Sequence, residues 1–303
     1  MRIIEKSVGS SDGINTLRGK VYLPEGDPKG LFHVVHGMTE HIGRYDRFMR
    51  DICEEGYIAF GYDHLGHGMT AKDDGDLGFI AHKDGWKLLV SDVGVFADAV
   101  AEEYGKDLPR FLFGHSMGSF IVRLYAAKEG EKLSGLIVCG TGGPNPAAGA
   151  GIAMAEMIKA LRGERHISKT MYKLAFGTYN KKWPDEGSTA WITNDKSVRE
   201  AYENDKFCTF KFTVSAMGDL VKLNKYSAAK STFENTPKSL PVFLISGEND
   251  PVGSYGEGVK KVYELYKKAG IDAKIKLYSG MRHEILNDVT YKEVLGDVNE
   301  FIK

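Results

Sequence analysis

Apolar residues recur along the chain in two alternating patterns, short continuous runs and longer stretches with helical spacing. Leu31-Phe32-His33-Val34-Val35 is a compact apolar run that ends at a glycine loop, which is typical of a strand buried on both faces. Further runs predict strands at 57–62, 109–113, 134–140, 240–246 and 273–278. Helical spacing predicts helices at about 44–55, 83–104, 117–128, 255–269 and 291–302. This alternation indicates an α/β fold with a mostly parallel central sheet flanked by helices.

The first residues follow a different pattern. Residues 2–8 and 14–23 resemble two short strands separated by Ser11-Asp12-Gly13, a sequence suited to a turn. The chain is therefore expected to begin with a hairpin.

The strand and helix alternation stops between Thr141 and about Pro237. A Gly/Ala/Pro stretch comes first, and helical spacing follows without a convincing buried strand. The apolar run Leu240 to Ser246 then resumes the earlier pattern. We therefore predict a core formed by residues 1–141 and 238–303, with a helical cap at 142–237 inserted between two strands of one sheet.

Composition and charge limit the classes of partner. The 303 residues are 42% hydrophobic and 27% charged, as in ordinary globular proteins. A formal net charge of -1 gives no global electrostatic reason to expect nucleic acid as a partner. We expect a small-molecule substrate, no cofactor and no metal, and the sequence leaves the oligomeric state open.

The cysteines and the apolar runs bear on location. Cys53, Cys139 and Cys208 are far apart and odd in number, which favours a reducing compartment over a disulfide framework. The first residues lack the apolar region of a signal peptide, and no apolar run reaches the roughly 18 residues of a transmembrane helix. A cytoplasmic protein is the expectation.

The most specific motif is Gly114-His115-Ser116-Met117-Gly118, a G-x-S-x-G sequence between a predicted strand and a predicted helix. This is the context of a nucleophile elbow, a sharp strand-to-helix turn that presents a serine at the end of the sheet. Small neighbours at Gly114 and Gly118 would let the strand and helix approach closely. Ser116 is therefore the predicted nucleophile, although a bare G-x-S-x-G match also occurs in ordinary glycine-rich turns.

A serine needs a base to remove its proton and an acid to orient that base. In folds with this elbow, the acid and then the histidine follow the serine, each on a loop after a later strand. Asp250 and His283 have these positions, after the strands predicted at 240–246 and 273–278. Glu248 is a rival acid, but it lies nearer the strand end.

The tetrahedral intermediate of acyl transfer also needs donors for its oxyanion. One is the backbone N–H that follows the nucleophile, here that of Met117. The second is expected from the loop after an early strand, and His36-Gly37-Met38 occupies that loop. We assign the backbone N–H of Met38.

Several motifs in one order resemble the monoacylglycerol lipase and lysophospholipase branch of the α/β-hydrolases, also described as serine aminopeptidase S33-type hydrolases. They are His36-Gly37-Met38-Thr39-Glu40-His41 with Arg44-Tyr45, Asp63-His64-Leu65-Gly66-His67-Gly68, the elbow, Ser246-Gly247-Glu248-Asn249-Asp250, and Arg282-His283-Glu284-Ile285-Leu286-Asn287. The resemblance implies an ester hydrolase that acts on monoacylglycerol- or lysophospholipid-like esters, with a cap above the serine that forms an apolar tunnel. The cap sequence departs most from the animal enzymes.

The cap has an apolar stripe that could line such a tunnel or contact lipid transiently. It could equally pack inward, because a small helical cap needs a core of its own. The stripe comprises Met154, Met157, Ile158, Leu161, Met171, Tyr172, Leu174, Ala175 and Phe176.

Other activities and sites remain open at this stage. A short-chain esterase, peptidase, thioesterase or acyltransferase would use the same triad, and a binding protein could keep the fold without turnover. Asp63, His64 and His67 could suggest a metal site, but no further ligand set completes a shell. Gly140-Thr141-Gly142-Gly143-Pro144 lacks the Gly-Lys-Ser/Thr ending of a phosphate loop and is interpreted as a hinge into the cap.

Overall fold

One mixed sheet of eight strands organises the chain. The computed structural model describes residues 1–303. The strands are β1 (Arg2–Gly9), β2 (Thr16–Leu23), β3 (Gly30–Val35), β4 (Tyr57–Asp63), β5 (Arg110–His115), β6 (Gly135–Cys139), β7 (Val242–Gly247) and β8 (Ala273–Tyr278). Their spatial order is β1-β2-β4-β3-β5-β6-β7-β8, and only the pairs that involve β2 are antiparallel. The predicted hairpin and mostly parallel sheet are confirmed.

The parallel register brings the carboxyl ends of β5, β6, β7 and β8 to the same level of the sheet. His115 at the end of β5 pairs with Cys139 at the end of β6, and Gly247 of β7 pairs with Tyr278 of β8. Loops that follow these strands therefore leave the sheet at one edge. In open α/β sheets this carboxyl edge is where ligands bind.

Helices cover both faces of the sheet. The core helices are α1 (Asp46–Glu54), α2 (Gly85–Tyr104), α3 (Met117–Glu129), α9 (Glu257–Lys268) and α10 (Tyr291–Ile302). Apolar residues of α1 and α10 join a cluster of 24 buried residues, whereas α2, α3 and α9 contribute to a cluster of 41. Phe32 and Leu31 of β3 belong to different clusters, as expected when successive side chains point to opposite faces. Burial on both faces explains the continuous apolar strands.

The insertion between β6 and β7 has helices as its only regular elements, with turns between them. Its helices are α4 (Ala148–Arg162), α5 (Lys169–Phe176), α6 (Lys196–Asn204), α7 (Val214–Ser227) and α8 (Lys230–Asn235). Helix α4 packs on α7, and α7 packs on α3 of the core. The division into core and cap at residues 142 and 237 stays a prediction.

A buried arginine of α3 binds both the start of this insertion and the end of α7. Arg123 is fully buried and donates to the Thr141 hydroxyl at 3.2 Å and to the Ser227 carbonyl at 2.6 Å. Its partners are neutral, so burial lowers its pKa. The arginine therefore fixes where the chain leaves the core and where α7 ends.

None of the helices is long and apolar enough to cross a membrane.

Candidate active site

Ser116 occupies a strained turn between β5 and α3. Its backbone lies at φ 53° and ψ −118°, a conformation that non-glycine residues rarely adopt. A Cβ built on Gly118 would lie 2.2 Å from the Val35 carbonyl oxygen, and one on Gly114 would lie 2.5 Å from the Gly118 carbonyl oxygen. Only glycine fits at these two positions, as expected of a nucleophile elbow.

The backbone of Ser116 is fixed by hydrogen bonds. Its N–H donates to the Cys139 carbonyl at 3.0 Å, and its carbonyl accepts from the N–H of Ser119 at 2.9 Å. The side chain takes no part in these bonds, and the residue is partly exposed. The turn is therefore held by backbone atoms, and the Ser116 hydroxyl takes no part in these hydrogen bonds.

The loop after β3 lies against the serine. A Cβ on Gly37 would lie 2.9 Å from Ser116 Cβ, so the two backbones are in close contact. Met38 follows this glycine, and Met117 follows the serine. The backbone N–H of Met38 has no acceptor within the chain. That of Met117 is the first of helix α3, where helix geometry provides no partner. Two unpaired donors therefore flank the serine.

Asp250 and His283 are directly hydrogen-bonded. His283 Nδ1 lies 2.9 Å from Asp250 Oδ2, and both side chains are buried. The aspartate also accepts from the Ser246 hydroxyl at 3.2 Å and from the Val252 N–H at 2.8 Å. These donors hold the carboxylate in place, so it can fix the imidazole tautomer in which Nε2 is free to accept a proton.

Glu248, the rival acid, is placed elsewhere. It is exposed, and its Oε2 accepts from the Ser279 hydroxyl at 2.9 Å. The histidine is therefore bonded to Asp250, and Glu248 belongs to the surface.

His115 connects the elbow to the histidine loop. Its ring lies 4.6 Å from that of His283, and its Nε2 lies 3.3 Å from the His283 carbonyl oxygen. A Cβ on Gly140 would lie 3.1 Å from His283 Cε1 and 3.2 Å from His115 Nε2. The glycine loop predicted as a hinge therefore also makes room for these two rings.

Three buried groups, Glu40, His115 and Glu284, and the largely buried Arg44 support this arrangement. Glu40 Oε1 lies 3.2 Å from His115 Nδ1, and Glu40 Oε2 lies 3.3 Å from Arg44. Arg44 also forms a two-bond pair with Glu284, at 2.5 and 2.8 Å. Both His115 nitrogens face acceptors, which suits the doubly protonated ring. The negative charges of Glu40 and Glu284 thus lie next to the basic groups Arg44 and His115, beside the loop that carries His283.

The pKa values of the pair follow from this geometry. Burial acts to raise the pKa of Glu40, but the hydrogen bond and charge of His115 and the charge of Arg44 lower it overall. Burial acts to lower the pKa of His115, but the hydrogen bond and charge of Glu40 raise it overall. Each group therefore favours the charged form of the other.

The residues Asp63, His64 and His67 are used structurally. Asp63 accepts from the N–H groups of Ile42 and Met69, at 2.8 and 2.7 Å. His64 Nε2 lies 3.1 Å from the His36 carbonyl, and His67 Nδ1 lies 3.0 Å from the Leu65 carbonyl. These bonds tie the loop after β4 to the loop after β3, next to Gly37.

A different trio has the side chains a metal would require. Ligand atoms of His41, Asp205 and Cys208 lie within 4.8 Å of one another, where the loop after β3 meets the insertion. His41 Nε2 and Asp205 Oδ2 already pair at 2.9 Å, and burial raises the pKa of the Cys208 thiol. A protonated thiol is a poor ligand, so the trio fits a contact between core and insertion better than a metal site. The expectation of no metal stays a prediction.

The apolar stripe of the insertion divides into two groups. Met157, Leu161 and Leu174 are exposed by 58, 75 and 66%. Met171 is buried, and the remaining five pack partly buried against the larger core cluster. The inward-packing interpretation is thus confirmed for Met171, and tunnel lining stays a prediction.

This sheet, its elbow and the order of its loops define the α/β-hydrolase fold. The family described as serine aminopeptidase, S33, matches residues 26–290, and the chain belongs to this family. A carboxyl esterase from Bacillus coagulans, solved with glycerol, is 33% identical, with a TM-score of 0.94 over 100% of this chain and 98% of that one. A monoacylglycerol lipase from Mycolicibacterium smegmatis is 27% identical, covering 93% of this chain and 91% of that protein. The human monoglyceride lipase is 26% identical, covering 93% and 85%.

Several residues near the site carry no sequence signal for their position there. Glu40, Arg44, His115 and Glu284 lay within the motifs that carried the family resemblance, but no pattern predicted that they would meet. Trp191 belongs to the motif Trp191-Ile192-Thr193 of the insertion, which resembles bacterial relatives but predicts no contact with the site. In the structure its ring centroid lies 5.0 Å from that of His283, which depends on tertiary packing.

Proposed function

We propose that this protein is a serine carboxylic-ester hydrolase that works through an acyl-enzyme on Ser116. The observation that carries the proposal is the buried 2.9 Å contact between His283 Nδ1 and Asp250 Oδ2, at the same edge of the sheet as a serine held at φ 53°. Acyl transfer requires a serine presented at a sharp turn and an imidazole oriented by an acid, and the chain supplies both at this edge.

The first half of the reaction forms the acyl-enzyme. His283 Nε2 takes the hydroxyl proton as Ser116 Oγ attacks the ester carbonyl, and Asp250 stabilises the resulting imidazolium. The carbonyl oxygen becomes an oxyanion that the N–H groups of Met38 and Met117 bind. The C–O bond then breaks, and the alcohol leaves with the proton from His283.

The second half repeats these steps with water. His283 takes a proton from water, the hydroxide attacks the acyl carbonyl, and the bond to Ser116 Oγ breaks as the proton returns to the serine. The carboxylic acid is released and the enzyme is restored. No cofactor enters either half.

Monoacylglycerol- or lysophospholipid-like esters are the proposed substrates. The support is the similarity to named monoacylglycerol lipases over most of both chains. The exposed Met157, Leu161 and Leu174 are consistent with transient contact between the insertion and lipid. An apolar tunnel under the insertion would hold the acyl chain.

Other acyl substrates suit the same apparatus. The family description names an aminopeptidase, and a caffeoylshikimate esterase from Arabidopsis thaliana is 27% identical, covering 97% of this chain and 85% of that protein. A short-chain esterase, peptidase, thioesterase or acyltransferase is therefore the alternative to separate experimentally. A binding protein without turnover would bind an ester saturably and never consume it.

A substrate panel tests the proposal. Wild type and Ser116→Ala are assayed on p-nitrophenyl esters from acetate to palmitate, then on monoacylglycerol, lysophospholipid and an aminoacyl amide. Serine-dependent turnover that peaks at medium or long chains supports the lipase-like function. Turnover confined to acetate or to the amide would contradict it, and product transfer to an added alcohol would identify an acyltransferase.

We also propose a cytoplasmic location. All three cysteines are free and buried, which suits a reducing compartment. Cell fractionation with an antibody to the chain tests this, and recovery outside the cytoplasmic fraction would contradict it.

A further inference from the structure

One stretch of the insertion is bonded to the loop that holds His283. The N–H of His283 donates to the Trp191 carbonyl at 3.4 Å, and the N–H of Glu284 donates to the Ile192 carbonyl at 2.7 Å. Two successive donors of the histidine loop thus bind two successive acceptors of the insertion. This stretch, residues 190–194, continues the backbone framework of the active site.

The buried side chain of Arg282 binds the first residue of the stretch 190–194. Arg282 forms a two-bond pair with Glu186, at 2.9 and 3.0 Å, and donates to the Ala190 carbonyl at 2.6 Å. Its guanidinium also lies 4.2 Å from the ring of Trp183. A planar guanidinium that is paired, bonded and stacked has little freedom to move.

Asp288 binds the last two residues of the same stretch. Asp288 Oδ2 accepts from the Thr193 hydroxyl and from the Asn194 N–H, each at 2.9 Å. Residues 190–194 are therefore held at both ends by side chains of the histidine loop. They must move with that loop even if the rest of the insertion opens.

The Trp191 indole lies against the His283 imidazole. The ring centroids are 5.0 Å apart, and the planes are inclined by 38°. Tyr179 packs on the indole with its edge, at 5.0 Å. The bond to Asp250 fixes one atom of the imidazole, and the rings of His115 and Trp191 lie against it at 4.6 and 5.0 Å. Rotation of the imidazole about its hydrogen bond is therefore restricted by these two rings, and the indole is the one that the insertion supplies.

We propose that Trp191 is a positioning residue that holds the His283 imidazole in its productive orientation. The inference rests on the proposed function of His283 as the base. It also assigns residues 190–194 to the catalytic core, although they lie within the insertion. A base displaced by about 1 Å can lose on the order of 10²-fold in rate, so orientation carries a measurable effect.

Steady-state kinetics of matched tryptophan variants test this proposal. Trp191→Ala should lower kcat by roughly 10- to 100-fold with little change in KM, because substrate binding does not need the base. Trp191→Phe keeps an aromatic face and should recover most of kcat. Trp86→Ala is the matched control, since Trp86 stacks on Tyr226 at 4.7 Å instead of on His283. Equal losses in Trp191→Ala and Trp86→Ala, or no loss in Trp191→Ala, would overturn the proposal.

Fluorescence provides a readout that a purely structural role would not change. An imidazole in contact with an indole changes the emission of that indole, so wild-type emission should differ from that of His283→Asn. The difference should vanish when both proteins also carry Trp191→Phe. A difference that persists in the Trp191→Phe background would overturn the contact.

Different results would contradict the proposed function and the positioning role of Trp191. Full activity in Ser116→Ala would remove the proposed function, whereas the fluorescence difference between wild type and His283→Asn would still report the contact between Trp191 and His283. A serine-dependent wild type whose Trp191→Ala variant keeps full kcat would overturn the positioning role alone.

Discussion

His283 Nδ1 lies 2.9 Å from Asp250 Oδ2, and both side chains are buried where the parallel strands end. An imidazole held in this way has one defined tautomer. Asp250→Asn replaces the acceptor by a side chain of the same shape that favours the other tautomer. We expect kcat for ester hydrolysis to fall by about 10³- to 10⁴-fold, with the fold intact by circular dichroism.

Glu248→Gln is the control for Asp250→Asn. It changes the exposed neighbouring acid, which bonds Ser279, and should leave kcat unchanged. A large loss in the Glu248 variant with none in the Asp250 variant would reassign the acid.

The elbow should not accept a methyl group at Gly118. A Cβ there would lie 2.2 Å from the Val35 carbonyl oxygen and 2.6 Å from the His36 carbonyl oxygen. Because both contacts are backbone atoms, the turn must shift and displace Ser116. Gly118→Ala should lower kcat/KM by on the order of 10²-fold.

Gly149→Ala is the matched substitution, because a Cβ there meets nothing within 4 Å. It should keep activity and stabilise helix α4 slightly. Near-normal activity in Gly118→Ala would show that the turn is less constrained than the contacts indicate.

Glu40 should contribute strongly to stability. Its carboxylate accepts from the Tyr45 hydroxyl at 2.9 Å and lies 3.2 Å from His115 Nδ1. Glu40→Ala leaves Arg44 and His115 without this partner, and such a loss typically costs about 3–5 kcal/mol. The free energy of unfolding in urea measures the effect.

Glu200→Ala is the comparison for Glu40→Ala. It breaks the exposed pair with Lys196, at 3.4 Å, and should change the free energy of unfolding little. Comparable losses in the two variants would contradict the balanced buried network.

Buried histidines should make the protein sensitive to acid. Burial lowers the pKa of His33 and of His67 to about 3, whereas an unfolded histidine titrates near 6.5. The unfolded chain binds these protons first, so the stability is fully present above about pH 6.5 and is lost as the pH falls toward 3. Each histidine should contribute a slope of about 1.4 kcal/mol per pH unit within that window.

His33→Phe tests the acid sensitivity at one site. The ring stacks on Phe60 at 4.5 Å, and both its nitrogens lack hydrogen-bond partners. The variant should flatten the fall of the unfolding free energy between pH 6 and pH 4. An unchanged slope would show that other groups control acid unfolding.

The apolar runs and the elbow motif predicted most of the fold. Strands buried on both faces read as continuous apolar segments, so β3 and β7 were placed within two residues of their ends. The first helix began later than predicted, because Ile42–Tyr45 forms a short 3₁₀ turn before it. Apolar residues in a 3₁₀ turn have nearly the same spacing as those in the first turn of an α-helix, so the sequence pattern does not distinguish the two.

The supporting contacts could not be predicted. Glu40 and Glu284 are distant in sequence and meet only through Arg44. Trp191 reaches His283 because the insertion returns to the sheet edge, which depends on helix packing and not on any local spacing. Catalytic residues that lie within a motif could be predicted from the sequence. Contacts between residues of separate loops could be found only in the structure.

The central claim is that Ser116 forms the covalent acyl-enzyme. An intact-mass measurement after treatment with a fluorophosphonate tests it most directly, with the labelled peptide mapped by fragmentation. We predict one adduct, on Ser116, formed in parallel with loss of ester turnover and absent from Ser116→Ala, whose kcat should be lower by about three orders of magnitude or more. An adduct on another residue that accompanies the loss of turnover, or full turnover by Ser116→Ala, would contradict the account.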